Sequence, residues 1–123
     1  MTIMEAIYRI DEVKPNSCSN AEKIKWLSSL DGAIKGEIID THEGGSDITF
    51  NGYAEDSDLS TVLLVSAPYD DVYLRWLEAM IDYTNGEYDK YNNSYIAYND
   101  AYSQYEMYYN RTHMPKQKGK FRF

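Results

Sequence analysis

The sequence predicts a mainly α-helical fold: a small helical bundle with one long C-terminal helix and a short β-hairpin insertion. Apolar residues recur at steps of three and four in two N-terminal segments and again from Leu74 to Tyr109, which is the spacing of one helix face. Only residues 47–65 change to the alternation that is typical of strands. The chain has 123 residues, which suffices for one modest core. We therefore expect one helical domain over residues 1–113 and a basic arm over residues 114–123.

Two helices are predicted before the insertion. The first covers residues 2–13 and ends there because Pro15 pushes the residue before it out of the α region. The second begins after Ser19 or Asn20, either of which can cap it, and ends near residues 41–43, ahead of a glycine pair. The apolar stripes are Ile3, Ile7 and Ile10 in the first helix and Ile24, Leu27, Leu30, Ile34 and Ile38 in the second.

The insertion is predicted to be a β-hairpin or two loosely paired strands. Residues 48–53 alternate apolar and polar side chains, and residues 60–65 form a short run that contains β-branched residues. A polar loop over residues 54–59 separates the two segments. Alternatively, Asn51-Gly52 is itself the turn, and the strands on either side of it are shorter.

A long C-terminal helix is predicted to begin after Pro68, with Asp70 and Asp71 in a first turn where the helix dipole favours negative charge. Asn85-Gly86 is the one plausible break, and a loop there would give two antiparallel helices. The apolar stripe keeps its phase across this pair, which favours one continuous, kinked helix over residues 69–110. Such a helix would be about 60 Å long, so it would protrude from a domain of this size.

The second half of this helix carries a stripe of tyrosines. Eight of the 13 tyrosines in the chain lie between Tyr88 and Tyr109. A buried tyrosine can still form hydrogen bonds, so we expect such a stripe to bind neighbouring chains as well as to pack internally. The predicted contact residues are Tyr91, Tyr95, Tyr98, Tyr102, Tyr105 and Tyr109. A platform that stacks single-stranded bases is a weaker interpretation, because Lys90 is the only basic residue among them.

The charge of the chain divides into an acidic body and a basic arm. The formal net charge is −8, but residues 1–110 hold 7 basic and 20 acidic side chains, a balance of −13. From Arg111 onward the charge is +5 and no acidic residue occurs. The acidic body should repel nucleic acid, whereas the arm can attach to an acidic surface or to phosphate. The arm residues predicted to make this contact are Lys116, Lys118, Lys120 and Arg122. The alternative is that the arm is a solvated, disordered end.

No residue pattern predicts a catalytic centre, a metal site or a bound cofactor. Cys18 has no basic or histidine neighbour in sequence that would activate it, and His42 and His113 lack the spacing of metal ligands. The acidic loop over residues 55–58 lacks the glycine and terminal glutamate of an EF-hand. We therefore do not expect an enzyme. No segment has the character of a membrane span or a signal peptide, and a single cysteine is typical of a reducing compartment.

Several segments of the chain resemble a family of small phage and prophage proteins. The residues that carry the resemblance lie at 8–16 (YRIDEVKPN), 23–27 (KIKWL), 67–77 (APYDDVYLRWL), 81–88 (IDYTNGEY) and 91–93 (YNN). They are similar to products of the head-morphogenesis genes of long-tailed phages of Gram-positive hosts, of the head–tail connector (adaptor) type. The resemblance covers most of residues 5–113.

The resemblance implies a mainly helical adaptor that binds the portal protein and neighbouring copies of itself in a ring, expected to be a dodecamer. Such a ring extends the DNA channel towards a downstream head-closure or tail protein, and DNA only passes through it. The family has no catalytic residues to transfer, and no cofactor or membrane contact is expected. Its members belong to the virion at the head–tail junction and to the host cytoplasm during assembly. The C-terminal segment tends to reach the portal, which gives residues 116–123 an expected role.

Other functions are compatible with the sequence. The hairpin is less typical of the shorter all-helical adaptors, which leaves open another head or tail completion protein or a capsid decoration protein. The balance of −13 over residues 1–110 also permits an acidic phage inhibitor that mimics DNA. A mimic would need carboxylates in rows on one face, whereas the sequence places them in loops and at helix starts.

Overall fold

The computed structural model describes residues 1–116, and within them the fold consists mainly of α-helices. The helices are α1 (Ile3–Val13), α2 (Asn20–Glu37), α3 (Asp71–Thr84) and α4 (Tyr88–Thr112). Two short 3-10 helices, Ile39–Thr41 and Gly45–Asp47, follow α2. The predicted mainly helical class is therefore confirmed. No helix in this part of the chain combines the length and the apolar character needed to cross a membrane.

Side-chain caps fix where the first two helices begin. Thr2 N–H donates to Glu5 Oε1 at 2.9 Å and Glu5 N–H donates to Thr2 Oγ1 at 3.1 Å, which is a reciprocal capping box. At the start of α2, the Ser19 hydroxyl accepts from Glu22 N–H at 3.1 Å, as one of the two predicted caps. α2 ends short of residues 41–43, where its end was predicted, because the chain first tightens into a 3-10 helix.

α3 and α4 form an antiparallel hairpin, so the predicted continuous helix over residues 69–110 is wrong. Gly86 ends α3 in the left-handed conformation, with a φ of 74°. Its N–H donates to Tyr83 O at 3.0 Å, and Glu87 N–H donates to Asp82 O at 3.0 Å, the hydrogen bonds of a glycine C-cap. The stripe keeps its phase because both helices face the same core. A heptad pattern of this kind does not distinguish two antiparallel helices from one long helix.

The predicted β-hairpin over residues 47–65 is not confirmed, because the described part of the chain contains no β-strand there. The segment runs instead as a loop beside the N-terminus, where Leu63 N–H donates to Met1 O at 2.9 Å. Leu63 and Val65 are buried. The alternating apolar side chains therefore attach a loop to the core and do not form one face of a sheet.

The hydrophobic core lies between the helices, and α3 is central because it packs against each of the other three. Both predicted stripes of the first two helices are buried in it. The largest fully buried side chains are Ile3, Ile10, Leu27, Leu30, Ile34, Ile38, Ile39, Val65, Val72, Tyr73, Leu77 and Ile81. Burying side chains of this size removes a large apolar area from water, which is the main stabilising contribution to the fold.

A buried carboxylate joins α2, the long loop and α3. Asp31 Oδ1 accepts a hydrogen bond from the Tyr73 hydroxyl at 2.7 Å. Asp31 Oδ2 accepts from the Tyr53 hydroxyl at 2.5 Å and from Leu64 N–H at 3.1 Å. The Tyr73 oxygen in turn accepts from Val65 N–H at 2.7 Å. Burial raises the pKa of Asp31, and the hydrogen bonds that its carboxylate accepts oppose that rise.

A second buried carboxylate, Asp82, holds the end of α3 against two other helices. Lys14, which follows α1, places its Nζ 2.5 Å from Asp82 Oδ1. The Ser94 hydroxyl of α4 donates to Asp82 Oδ2 at 2.6 Å. A buried charge is costly unless it is paired and hydrogen-bonded, so these contacts tie α1 and α4 to the hairpin turn.

Replacement of Tyr73 by phenylalanine tests the Asp31 network. The Tyr73→Phe variant loses a donor to Asp31 and leaves the buried Val65 N–H without an acceptor, so we expect the free energy of unfolding to fall by about 3 kcal/mol. Urea denaturation measures the change. The control is Tyr83→Phe, on a ring that is 55% exposed, and it should change stability by less than about 0.5 kcal/mol. Equal losses in the two variants would contradict the role of the network.

Two glycines test the turn between α3 and α4. Gly86→Ala forces a Cβ into the left-handed region and should lower the free energy of unfolding by about 1 kcal/mol. Gly36 lies inside α2, and at both glycines the position that a Cβ would take has no other atom within 4 Å. Space is therefore equal at the two sites and only the backbone conformation differs, so Gly36→Ala should raise stability by up to about 1 kcal/mol. Thermal denaturation measures the melting temperature of each variant. A shift of both melting temperatures in the same direction would contradict the assigned turn.

Candidate interaction surface

The tyrosine stripe of α4 faces mainly the protein's own core. Tyr98, Tyr105 and Tyr109 are only 8%, 5% and 5% exposed. Of the predicted contact set, Tyr95 is 36% exposed and Tyr91 is half-buried. The hairpin folds the stripe back along α3, so its inner rings are covered by the same chain. The sequence pattern identified a packing surface but did not show which molecule it packs against.

Ring contacts and hydrogen bonds explain why tyrosine fills this inner face. The Tyr98 ring lies 4.8 Å from the Trp76 ring of α3. Tyr102 is half-buried and donates its hydroxyl to Glu37 Oε1 at 2.6 Å. Burial raises the pKa of both tyrosines, and the Glu37 carboxylate raises the pKa of Tyr102 further. Each ring therefore buries an apolar body and keeps a neutral hydroxyl at the edge of the core.

Three exposed tyrosines and one half-buried tyrosine gather at the tip of the α3–α4 hairpin. We name this group the tip cluster, and its members are Tyr83, Tyr88, Tyr91 and Tyr95. Tyr83 and Tyr88 are 55% and 59% exposed, and neighbouring ring centroids in the cluster are 5.2 to 5.7 Å apart. The predicted contact set lacks Tyr83 and Tyr88, although they flank Asn85-Gly86. Assigning that pair to a turn would have brought the two rings together.

The beginning of the arm is attached to the segment after α2. Glu43 N–H donates to Met114 O at 2.8 Å, and Lys116 N–H donates to Thr41 O at 3.0 Å. Lys116 itself is exposed. The other predicted arm residues, Lys118, Lys120 and Arg122, lie outside the described residues. The structure thus fixes the point from which the basic segment departs.

His42 supports this attachment from inside the fold. It is buried, its Nδ1–H donates to Ile38 O at 2.6 Å, and its Nε2 lies 2.8 Å from Asn110 Oδ1. The Tyr109 ring meets His42 edge-on at 4.9 Å and stacks on His113 at 3.7 Å. Both histidines therefore pack at the end of α4, where the arm begins.

The remaining side chains that could take part in chemistry either have local hydrogen-bond partners or lie in an environment that disfavours their reactive form. Burial raises the pKa of the Cys18 thiol, and the Glu22 carboxylate raises it further, which disfavours the reactive thiolate. Asp58 Oδ1 accepts from Ser60 N–H at 2.9 Å and from the Ser60 hydroxyl at 2.7 Å, so this member of the acidic loop closes a turn. Within residues 1–116, no three histidine, cysteine or acidic side chains gather in a way that could hold a metal ion.

Comparisons with known proteins give no match to a family model, a curated protein or a solved structure. What the protein binds must therefore be inferred from its own surface. Two features of that surface are suited to a partner: the tip cluster, and the basic segment that departs at Lys116. Exposed aromatic rings grouped in one patch are typical of protein interfaces.

Alanine substitutions should separate the inner stripe from the tip cluster. Tyr98→Ala removes a buried ring and should lower the free energy of unfolding by about 3–5 kcal/mol. Tyr88→Ala removes an exposed ring and should change it by less than about 0.5 kcal/mol. Urea denaturation with circular dichroism measures both. A large loss for Tyr88→Ala would mean that the tip cluster stabilises the fold and is not free for a partner.

Proposed function

We propose that this chain is a non-enzymatic structural subunit of a phage virion, a head–tail connector adaptor that forms a ring under the portal protein and joins the capsid to the tail. The observation that carries the proposal is the tip cluster, because an exposed aromatic patch on a small helical protein needs a protein partner. The resemblance of residues 8–16, 67–77 and 81–93 to connector adaptors supplies the identity of that partner. The portal protein, neighbouring copies and a downstream head-closure or tail protein are the proposed contacts.

The tip cluster stands on a rigid support, which favours binding. Asp82 immediately precedes Tyr83 in the chain and is held by Lys14 at 2.5 Å and by Ser94 at 2.6 Å. The glycine turn at Gly86 closes the hairpin with two further hydrogen bonds. A preorganised patch loses little conformational entropy on binding, so more of its contact energy appears as affinity.

The charge distribution supports a channel through which DNA passes without being held. Residues 1–110 carry a balance of −13, and a surface of that sign repels phosphate. A ring of such subunits would give the DNA a channel to slide through. The basic segment that begins at Lys116 is suited to an acidic protein surface, and in a ring each copy presents one to its neighbour.

An acidic DNA mimic is less well supported. Several of its carboxylates have local tasks: Glu5 and Asp58 accept backbone hydrogen bonds, and Asp71 pairs with Arg75 at 3.0 Å. Those groups are divided between a helix cap, a loop and a helix start, and they do not follow one face. Another head or tail completion protein, or a decoration protein, shares the structural features and differs only in the partner.

Binding to the cognate portal protein tests the proposal. Mixing the purified chain with portal rings should yield portal particles with an added ring by negative-stain electron microscopy. A Tyr83→Ala/Tyr88→Ala/Tyr95→Ala variant should bind the portal or its neighbours about tenfold more weakly or worse, since exposed aromatic anchors dominate interface energies. The matched control is Tyr8→Ala on α1, a tyrosine that is 63% exposed and outside the tip cluster.

Portal rings that remain bare at saturating protein would refute the connector function. Equal binding by the triple variant and the wild type would remove the tip cluster from the interface. Circular dichroism of every variant confirms that the fold is intact before binding is measured.

A further inference from the structure

A groove of about 460 Å³ lies between the start of α3 and the middle of α4. Ala97 and Ala101 line it from α4, and their small side chains leave space between the two helices. Tyr69 lines the groove just before α3 and stacks on Tyr108 at 4.6 Å. A groove with small residues and an aromatic ring can accept a large side chain from a partner.

The groove is also acidic. Asp71 contributes a carboxylate from α3 and Asp100 contributes one from α4. The Arg75 Nε lies 3.0 Å from Asp71 Oδ2, so this positive charge is already engaged. Asp100 is exposed, and among residues 1–116 it has neither a hydrogen bond nor an ion pair from its side chain. The groove therefore offers an unneutralised carboxylate to a basic ligand.

The chain supplies a segment of matching chemistry. Residues 117–123 (QKGKFRF) hold three basic and two aromatic side chains and no acidic one. They continue from Lys116, whose backbone is fixed to Thr41. Seven residues can span at most about 25 Å.

The floor of the groove at Ala101 and the contact that Asn110 makes beside the arm lie on different sides of α4. Ala101 lines the groove, whereas Asn110 meets His42 beside the arm. At 3.6 residues per turn these two positions are about half a turn apart around the helix. The groove of an adjacent copy, placed against the side of α4 where Asn110 lies, is directly accessible.

We propose that residues 117–123 of one copy bind the α3–α4 groove of a second copy. Lysine and arginine side chains pair with Asp100, and an aromatic side chain packs beside Tyr69 over the two alanines. A contact between the arm of one copy and the groove of another is heterologous, and repetition of a heterologous contact gives a ring when its rotation closes. The inference rests on the ring assembly of the proposed function, but it needs no portal protein.

Complementary variants test this contact with the full fold in each partner. Deletion of residues 117–123 removes the ligand and leaves the groove, and Asp100→Lys disables the groove and leaves the ligand. Wild-type protein should associate as its concentration is raised in sedimentation velocity runs at low salt. The deletion alone should abolish this association, and Asp100→Lys alone should associate about tenfold more weakly, since each exposed ion pair contributes a factor of up to about five and the reversed charge adds repulsion. Mixing the two variants should give a one-to-one heterodimer and nothing larger, because only one complete contact remains.

The matched control is Asp56→Lys, which reverses an exposed carboxylate in the loop over residues 54–59 and should associate as the wild type does. Wild-type protein that stays monomeric at the highest soluble concentration would overturn the proposed contact. So would undiminished association of Asp100→Lys, or a mixture that forms no heterodimer. Rings that still assemble on the portal in that case would leave the connector function in place and reject only this contact.

Discussion

The rest of the structure depends on the carboxylate of Asp31. It is fully buried on α2, and its three donors come from the long loop and from α3. The loop pairs its backbone with the N-terminus in an isolated antiparallel bridge between Val62 and Thr2, and beyond that bridge the N–H groups of Leu64 and Val65 donate to side chains. Asp31 and Tyr73 supply those acceptors. Without them a loop of apolar residues could not be held in the core without unpaired polar groups.

A second buried carboxylate with hydrogen-bond partners organises the other end of the molecule. Asp82 accepts from Lys14 and Ser94, so three helices converge on one buried charge next to the hairpin turn. The tyrosines of α4 then divide by position. Those that face α3 use their rings for packing, and those near the turn remain available to another chain. One repeated residue type therefore serves both the fold and the surface, because tyrosine is stable in either setting.

Local sequence signals predicted the first half of the fold well. Ser19 marked the start of α2, and the isoleucine and leucine stripes marked the buried faces. They failed where tertiary contacts decide. Gly86 reverses the chain although the stripe keeps its phase, and the β-branched run near Val65 attaches to Asp31 and Tyr73 through donors that no local pattern reveals. The same holds for the candidate site. The tyrosine stripe was predicted from the sequence, but its buried and exposed parts could be distinguished only after the turn was known.

The hydrogen bonds between residues 114–116 and residues 41–43 fix the point on the fold from which residues 117–123 continue. A partner site within the span of those seven residues would meet them at an effective concentration of millimolar order once the two chains are held together. If the chain assembles into the proposed ring, every copy would both give and receive such a contact. Individually weak contacts would then act with avidity, and the ring would dissociate as a unit and not by loss of single copies.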